Sequence, residues 1–163
     1  MSRENTTYEV PQGIVNIGNE AFYHCNGLTK ITLPDSVTSI GDGAFNNCSS
    51  LTEITLPSSL TSIGNRAFSS CENLISITLP DNITSIGEGA FYKCRKLIEI
   101  NLPGSITSIG DWTFENCSDL STIVIPDGVT SIGEGAFSEC KKLIKINLPG
   151  SITSIGVRAF AGC

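Results

Sequence analysis

The sequence of 163 residues contains one histidine, one methionine and one tryptophan. A lone His24 beside Cys25 is too little for zinc, which needs three or four ligands brought together. It is also too little for a nucleophile, which needs a base and a group to orient that base. His24 therefore reads as an exposed loop residue, and a non-enzymatic protein is expected. Positive charge is scarce too: 10 Lys and Arg against 16 Asp and Glu leave a net charge of −6. That balance argues against nucleic acid and anionic membranes as partners. No apolar run reaches the roughly 18 residues of a membrane span, so no membrane insertion is expected. The opening stretch MSRENTTYEV lacks the apolar core of a secretory signal. This leaves two settings open, an intracellular protein or an excised piece of an exported one. Gly41-Asp42-Gly43, Gly87-Glu88-Gly89 and Gly133-Glu134-Gly135 lack the third glycine and the lysine of phosphate-binding loops. They read as corners, and no cofactor is expected.

What the chain does have is a period. Residues 51–71, LTEITLPSSLTSIGNRAFSSC, map onto the rest of the chain at shifts of 23 residues. Cysteine recurs at Cys25, Cys48, Cys71, Cys94, Cys117, Cys140 and Cys163, and phenylalanine at Phe22, Phe45, Phe68, Phe91, Phe114, Phe137 and Phe160. A proline column from Pro11 to Pro149 and a glycine column from Gly18 to Gly156 keep the same phase. Such regularity marks a solenoid in which each unit packs only on its neighbours. We place seven coils at 5–25, 26–48, 49–71, 72–94, 95–117, 118–140 and 141–163, forming one domain over 1–163. The first coil departs from the pattern, with Asn5, Tyr8 and Val10 where later coils carry Leu, Ile and Leu.

Each coil divides into three parts. In the first, Leu28, Ile31, Leu33 and Pro34 set the pattern, with apolar residues alternating with polar ones as in a half-buried strand. Proline ends that strand because it offers no N–H to a ladder. The second part, Val37-Thr38-Ser39-Ile40-Gly41, is rich in branched residues and predicts a short second strand. Gly41 suits a corner that needs a positive φ or a close approach. In the third part, Ala44, Phe45 and Cys48 fall where one helical turn would place them on one face, predicting a turn of 3₁₀ or α-helix. Coils stacked about 4.8 Å apart would extend about 30 Å.

Seven cysteines in one column are not a disulfide framework, whose members sit at unlike positions and staple loops. They read as seven reduced, buried small hydrophobes. A longer period lies beneath the first. Residues 101–110 read NLPGSITSIG and residues 147–156 repeat them; residues 84–91 and 130–137 share TSIGEGAF. Both shifts equal two coils, the trace of a duplicated coil pair or an engineered consensus.

The outward positions of the first strand hold Glu53 and Thr55, Thr78, Glu99 and Asn101, and Thr122 and Val124 in the central coils. Solenoids bind along such extended surfaces, so these residues form the candidate ligand-binding face. Ile75, Ile98 and Ile144 stand one position earlier, either as an apolar stripe or as a shield for the strand edge. Trp112 replaces Gly, Arg or Glu of the other coils, and Thr113 beside it breaks the Ala column. Trp112 is either an interface anchor, in which case it joins the candidate ligand-binding face, or a local packing change around Thr113. The rows of Thr38, Thr61, Thr84, Thr107, Thr130 and Thr153, each followed by serine, offer a flat hydroxyl array of the kind that binds ice or polysaccharide. Sequons occur at Asn5, Asn47, Asn82 and Asn116.

The repeat L-x-x-I-x-L-P-x-x-I-T-S-I-G-x-x-A-F-x-x-C, in phase from Tyr8 to Cys163, resembles the BspA-like, or Treponema pallidum type, leucine-rich repeats. The resemblance implies a curved leucine-rich-repeat solenoid, mainly β with short helical turns. It implies a cell-surface or secreted setting and adhesion to host or extracellular-matrix proteins. An alternative is an intracellular or engineered scaffold that self-associates end to end.

Overall fold

The computed structural model describes residues 6–163. Asn5, where the first repeat and one sequon were placed, lies outside them. The first strand of successive coils is Thr6–Glu9, Leu28–Thr32, Glu53–Thr55, Ser76–Ile77, Glu99–Asn101 and Thr122–Val124. A single bridge from Val124 to Asn147 carries that column into the seventh coil. The second strand is Asn16–Ile17, Ser39–Ile40, Ser62–Ile63, Ser85–Ile86, Ser108–Ile109, Ser131–Ile132 and Ser154–Ile155. The predicted second strand is thus present in every coil.

All pairings are parallel and, apart from a register shift between Thr6 and Thr7 of the first strand, each joins equivalent positions of adjacent coils, as Ile31 with Ile54, Ile100 with Ile123 and Ile40 with Ile63. The period dictates this register, because a slip by one residue would turn every core side chain outward. The first-strand sheet runs in two sections, which part between Glu53–Thr55 and Ser76–Ile77; the second-strand sheet parts between Ser85–Ile86 and Ser108–Ile109.

The expected helical turn does not form, and no helix occurs among the described residues. Residues 42–47 instead make overlapping turns. Ala44, Asn46 and Cys48 donate backwards to the carbonyls of Gly41, Gly43 and Phe45 in their own coil. The N–H groups between them, on Gly43, Phe45 and Asn47, donate to Asn65, Ala67 and Ser69 of the next coil, each at 2.8 Å. A helix would keep all of these bonds within the coil. Here the stack takes every second one, and the backbone compensates with a positive φ at Gly43 (60°) and Asn47 (61°). That sign at the third turn position is what a type II turn requires.

The core is built from columns. Phe22 to Phe160 stack ring on ring, with centroids 5.2 to 5.6 Å apart and nearly parallel planes. Those separations describe offset stacks, the favourable arrangement for ring quadrupoles. Phe45, Phe68, Phe91, Phe114 and Phe137 are wholly buried, together with the Leu, Ile, Ala and Cys columns around them. At Gly41, Gly64, Gly87, Gly133 and Gly156 the glycine column serves close approach, not positive φ. A Cβ on Gly64 would lie 2.6 Å from the Asp42 backbone nitrogen, and one on Gly41 would lie 2.7 Å from that of Asn19. Beside it, Asn19 and Asp42 accept, through Oδ1, the N–H of the residue one coil on, Asp42 at 2.9 Å and Asn65 at 2.7 Å.

All seven cysteines are free thiols. Cys48, Cys71, Cys94, Cys117 and Cys140 are buried as expected, but Cys25 is half-buried and Cys163 exposed. The correction has a plain cause: a thiol of this column is covered by the coils on both sides of it, and these two belong to the first and last coils described. Cysteine suits the column for a second reason besides size. The Cys94 S–H donates to the carbonyl of Phe68 at 3.1 Å, and the Cys117 S–H to Phe91 at 3.2 Å. These carbonyls already accept one N–H, so the thiol occupies a second lone pair that alanine would leave empty.

Candidate binding surfaces

The first-strand face carries the residues selected from the sequence. Ile54, Ile77, Ile100 and Ile123 point into the core, which turns Glu53, Thr55, Thr78, Glu99, Asn101, Thr122 and Val124 outward, and all seven are exposed. Val124 is 70% exposed, Ile98 48% and Ile75 46%. Ile75 and Ile98, with Val124, present apolar surface beside Glu53, Glu99 and Thr122. Lys30 pairs with Glu53 at 2.7 Å across the second and third strands of this face. Both side chains are about half exposed, so the pair fixes local charge and adds little stability.

Where the first-strand sheet parts, the face opens into a cleft of about 550 Å³. Glu53, Thr55, Ser76 and Thr78 line it, with Pro80 at one end. Volume of this order is that of ligand-accepting clefts. Three of the selected residues thus share one concavity, which the repeat pattern alone does not locate.

Trp112 does not belong to this face. It stands in the turn segment, half-buried, with φ 54°, and its indole lies over Gly135 of the next coil. The buried Thr113 hydroxyl donates to the Gly110 carbonyl of its own coil at 2.9 Å, taking the place of the bond that Ala44 or Ala90 makes through its backbone N–H. His24 is exposed at φ 58°, its ring edge-on to Tyr23. No group of three or more His, Cys, Asp and Glu that could hold a metal occurs among the described residues. No helix among them is long and apolar enough to cross a membrane.

The threonine rows are less available than their regularity implies. Thr61 Oγ1 donates to the Thr38 carbonyl at 3.0 Å, Thr130 to Thr107 at 3.2 Å and Thr153 to Thr130 at 3.1 Å. The protons of these three hydroxyls tie the stack together, so they are not offered to an outside lattice. Of the sequons, the Asn82 side chain donates to the Ser58 carbonyl at 2.8 Å, while Asn47 and Asn116 sit half-buried at positive φ.

Known proteins share this arrangement. The family model for the BspA type leucine rich repeat region matches residues 2–120 and 61–163, in six copies. A crystal structure of a T. pallidum leucine-rich repeat protein is 34% identical, with a TM-score of 0.93 over 99% of this chain and 78% of that one. A leucine-rich repeat protein from Bacteroides ovatus is 36% identical, with a TM-score of 0.89 over 93% of this chain and 39% of that one. A leucine-rich cell surface protein from Faecalibacterium prausnitzii is 34% identical, with a TM-score of 0.85 over 98% of this chain and 46% of that one. The chain thus spans less than half the length of the last two. The comparison with curated proteins returned no match. With the repeat matched from one end to the other and the same solenoid in a relative at one-third identity, the chain belongs to the BspA-type leucine-rich repeat family.

Proposed function

We propose that the protein is a non-enzymatic protein-binding module that engages its partner through the first-strand face, in an adhesin-like role toward host or matrix proteins at a cell surface. The observation that carries this reading is the outward column of that face, where Ile75, Ile98 and Val124 stand exposed among Glu53, Glu99 and Asn101 beside an open cleft. Exposed apolar side chains rimmed by polar ones mark interaction surfaces. A face of parallel strands presents them at fixed spacing, so binding is spread over several coils with its strongest contributions at apolar residues. The cell-surface description of the F. prausnitzii relative supports the setting.

The test is a double variant, Glu99→Lys with Val124→Lys, assayed beside the parent against a panel of extracellular-matrix proteins. Both side chains are exposed, so the fold should persist. The parent is expected to bind at least one member and the variant to bind it at least about tenfold more weakly. Equal binding by both would remove the first-strand face from the reading. A parent that binds none, and sediments as a multimer, would favour the self-associating scaffold.

A further inference from the structure

A second site lies in the turn segment, and the two-coil period creates it. At one turn position, successive coils carry Glu20, Gly43, Arg66, Gly89, Trp112, Gly135 and Arg158, all with φ between 53° and 60°. Large residues alternate with glycine, and each large side chain reaches over the glycine of the next coil. Glu20 Cγ lies 3.3 Å from where a Gly43 Cβ would stand, Arg66 Cγ 3.3 Å from that of Gly89, and Trp112 Cδ1 2.9 Å from that of Gly135. A side chain at every coil would collide with its neighbour; one at every second coil leaves gaps. This accounts for the GEGAF repeats that recur at twice the basic period.

The gap between Arg66 and Trp112 is a cleft of about 420 Å³ floored by Gly89, with Asn47, Tyr92 and Glu115 along its sides. Among the described residues, the Arg66 guanidinium, the Asn47 amide, the Tyr92 hydroxyl and the Glu115 carboxylate make no hydrogen bond or ion pair with the protein. Other polar side chains of the stack make coil-to-coil bonds, as at Asn65, Asp42 and Asn82. Burial raises the Glu115 pKa, with Lys93 and Arg158 opposing the rise. The carboxylate is left without a hydrogen-bond or ion-pair partner in the protein. Few convergent polar groups around an aromatic wall are the anatomy of a small-molecule site.

We propose that this cleft is a saccharide site that takes one uncharged pyranose ring. The charges decide the class. Arg66 and Glu115 share the cleft, and around Glu115 the cations Lys93 and Arg158 are offset by Glu134 and Glu139, so a ligand with net charge of either sign meets a like charge. Neighbouring sugar hydroxyls suit both, accepting from the guanidinium and donating to the carboxylate in charge-assisted bonds. Lys93 Nζ stands 5.0 Å from the Tyr92 ring centroid, so that ring already has a cation over it, and Tyr92 offers its hydroxyl. Trp112 rests its pyrrole edge on Gly135, and the remaining indole surface supplies the apolar platform for the C–H face of the ring. The site is separate from the first-strand face, so each can fail without the other.

Trp112 is the single tryptophan, so its fluorescence reports on the cleft directly. The parent is titrated with methyl glycosides of glucose, galactose, mannose, fucose and N-acetylglucosamine, with glycine and acetate as charged comparisons. Saturation-transfer NMR on the same mixtures covers binding that leaves the emission unchanged. At least one glycoside should give a saturable response. Arg66→Gly, which installs the residue of the adjacent coils at a positive φ, should keep the fold and weaken binding about ten- to a hundredfold. Glu115→Gln should weaken it similarly, and the Glu99→Lys, Val124→Lys double variant should not weaken it. Absence of a saturable response to every glycoside by both methods overturns the proposal. So does a response to glycine or acetate alone, or glycoside binding that survives both Arg66→Gly and Glu115→Gln.

Discussion

The Cys71 thiol donates a hydrogen bond to the Phe45 carbonyl at 3.2 Å, across the junction between two coils. The same bond recurs at every junction of the core, which makes the column a pH-sensitive part of the stack. Burial pushes the thiols of Cys48, Cys94 and Cys140 up to about 12 from an ordinary 9.0 and raises those of Cys71 and Cys117 as well. The native state therefore keeps protons that the unfolded chain gives up above pH 9. Stability is fully present below that value and falls as pH rises toward 12. The slope is about 1.4 kcal/mol per pH unit for each thiol. Melting temperatures measured between pH 7 and pH 11 should drop steeply above pH 9, and Cys94→Ala should flatten the drop by one proton's worth. Parallel curves for parent and variant would show that the column does not carry the alkaline limb.

Thiol reagents should divide the cysteines by place. Cys163 is exposed and Cys25 half-buried, whereas the five between them are buried and protonated. A thiolate is the reactive form, so the five should resist. Titration of folded protein without reductant should label two thiols, Cys163 with some delay because burial raises its pKa too. All seven should react in denaturant. Fewer than seven in denaturant would mean disulfides, and more than two in the folded state would mean an open core.

The phenylalanine column should show graded costs. Phe91 is wholly buried between Phe68 and Phe114, with rings stacked at 5.6 Å on both sides. Phe91→Ala should destabilise by about 3–5 kcal/mol. Phe160 is half-buried and stacks only on Phe137, so Phe160→Ala should cost clearly less. Denaturant titration of both variants checks the difference, and equal losses would contradict it.

Much of the fold was legible because a strict period exposes it. Parallel register follows from the 23-residue repeat alone, and the alternation around Ile31 or Ile100 fixes which side chains point outward. The turn segment was misread as helical because Ala44, Phe45 and Cys48 are spaced as a helix would space them. What overrides the spacing is invisible in one coil: every second N–H bonds to the next coil, which only stacking supplies. Glycine was half legible. Gly41 was seen as a corner, but the positive φ belongs two residues later, at a position where Arg66 and Trp112 also stand and so mask the signal. Seven residues of the strand face were readable from alternation. Trp112 stands out by its rarity, but its place in the turn segment rather than on the strand face depends on coil-to-coil contacts, as with Gly135. The cleft between Glu53 and Thr78 left no mark, since nothing in the repeat distinguishes a junction whose ladder parts.

A last prediction concerns two glycines of one column. A Cβ on Gly87 would lie 2.7 Å from Asn65 Cα, a backbone atom that cannot rotate away. A Cβ on Gly110 would meet nothing nearer than Thr113 Oγ1 at 3.4 Å. The difference lies in the junction: the second-strand ladder parts between Ser85–Ile86 and Ser108–Ile109, and Thr113 fills the place of alanine there. Gly87→Ala should therefore cost about 1–3 kcal/mol through forced backbone displacement. Gly110→Ala should be neutral or stabilise by up to about 1 kcal/mol, by reducing the freedom of the unfolded chain. If Thr113 holds the junction open, Thr113→Ala should close it, and Gly110→Ala made in that background should become costly. A double-mutant cycle by thermal or denaturant unfolding reads this coupling directly. Additive effects at the two positions would show that the open junction has a cause other than the threonine.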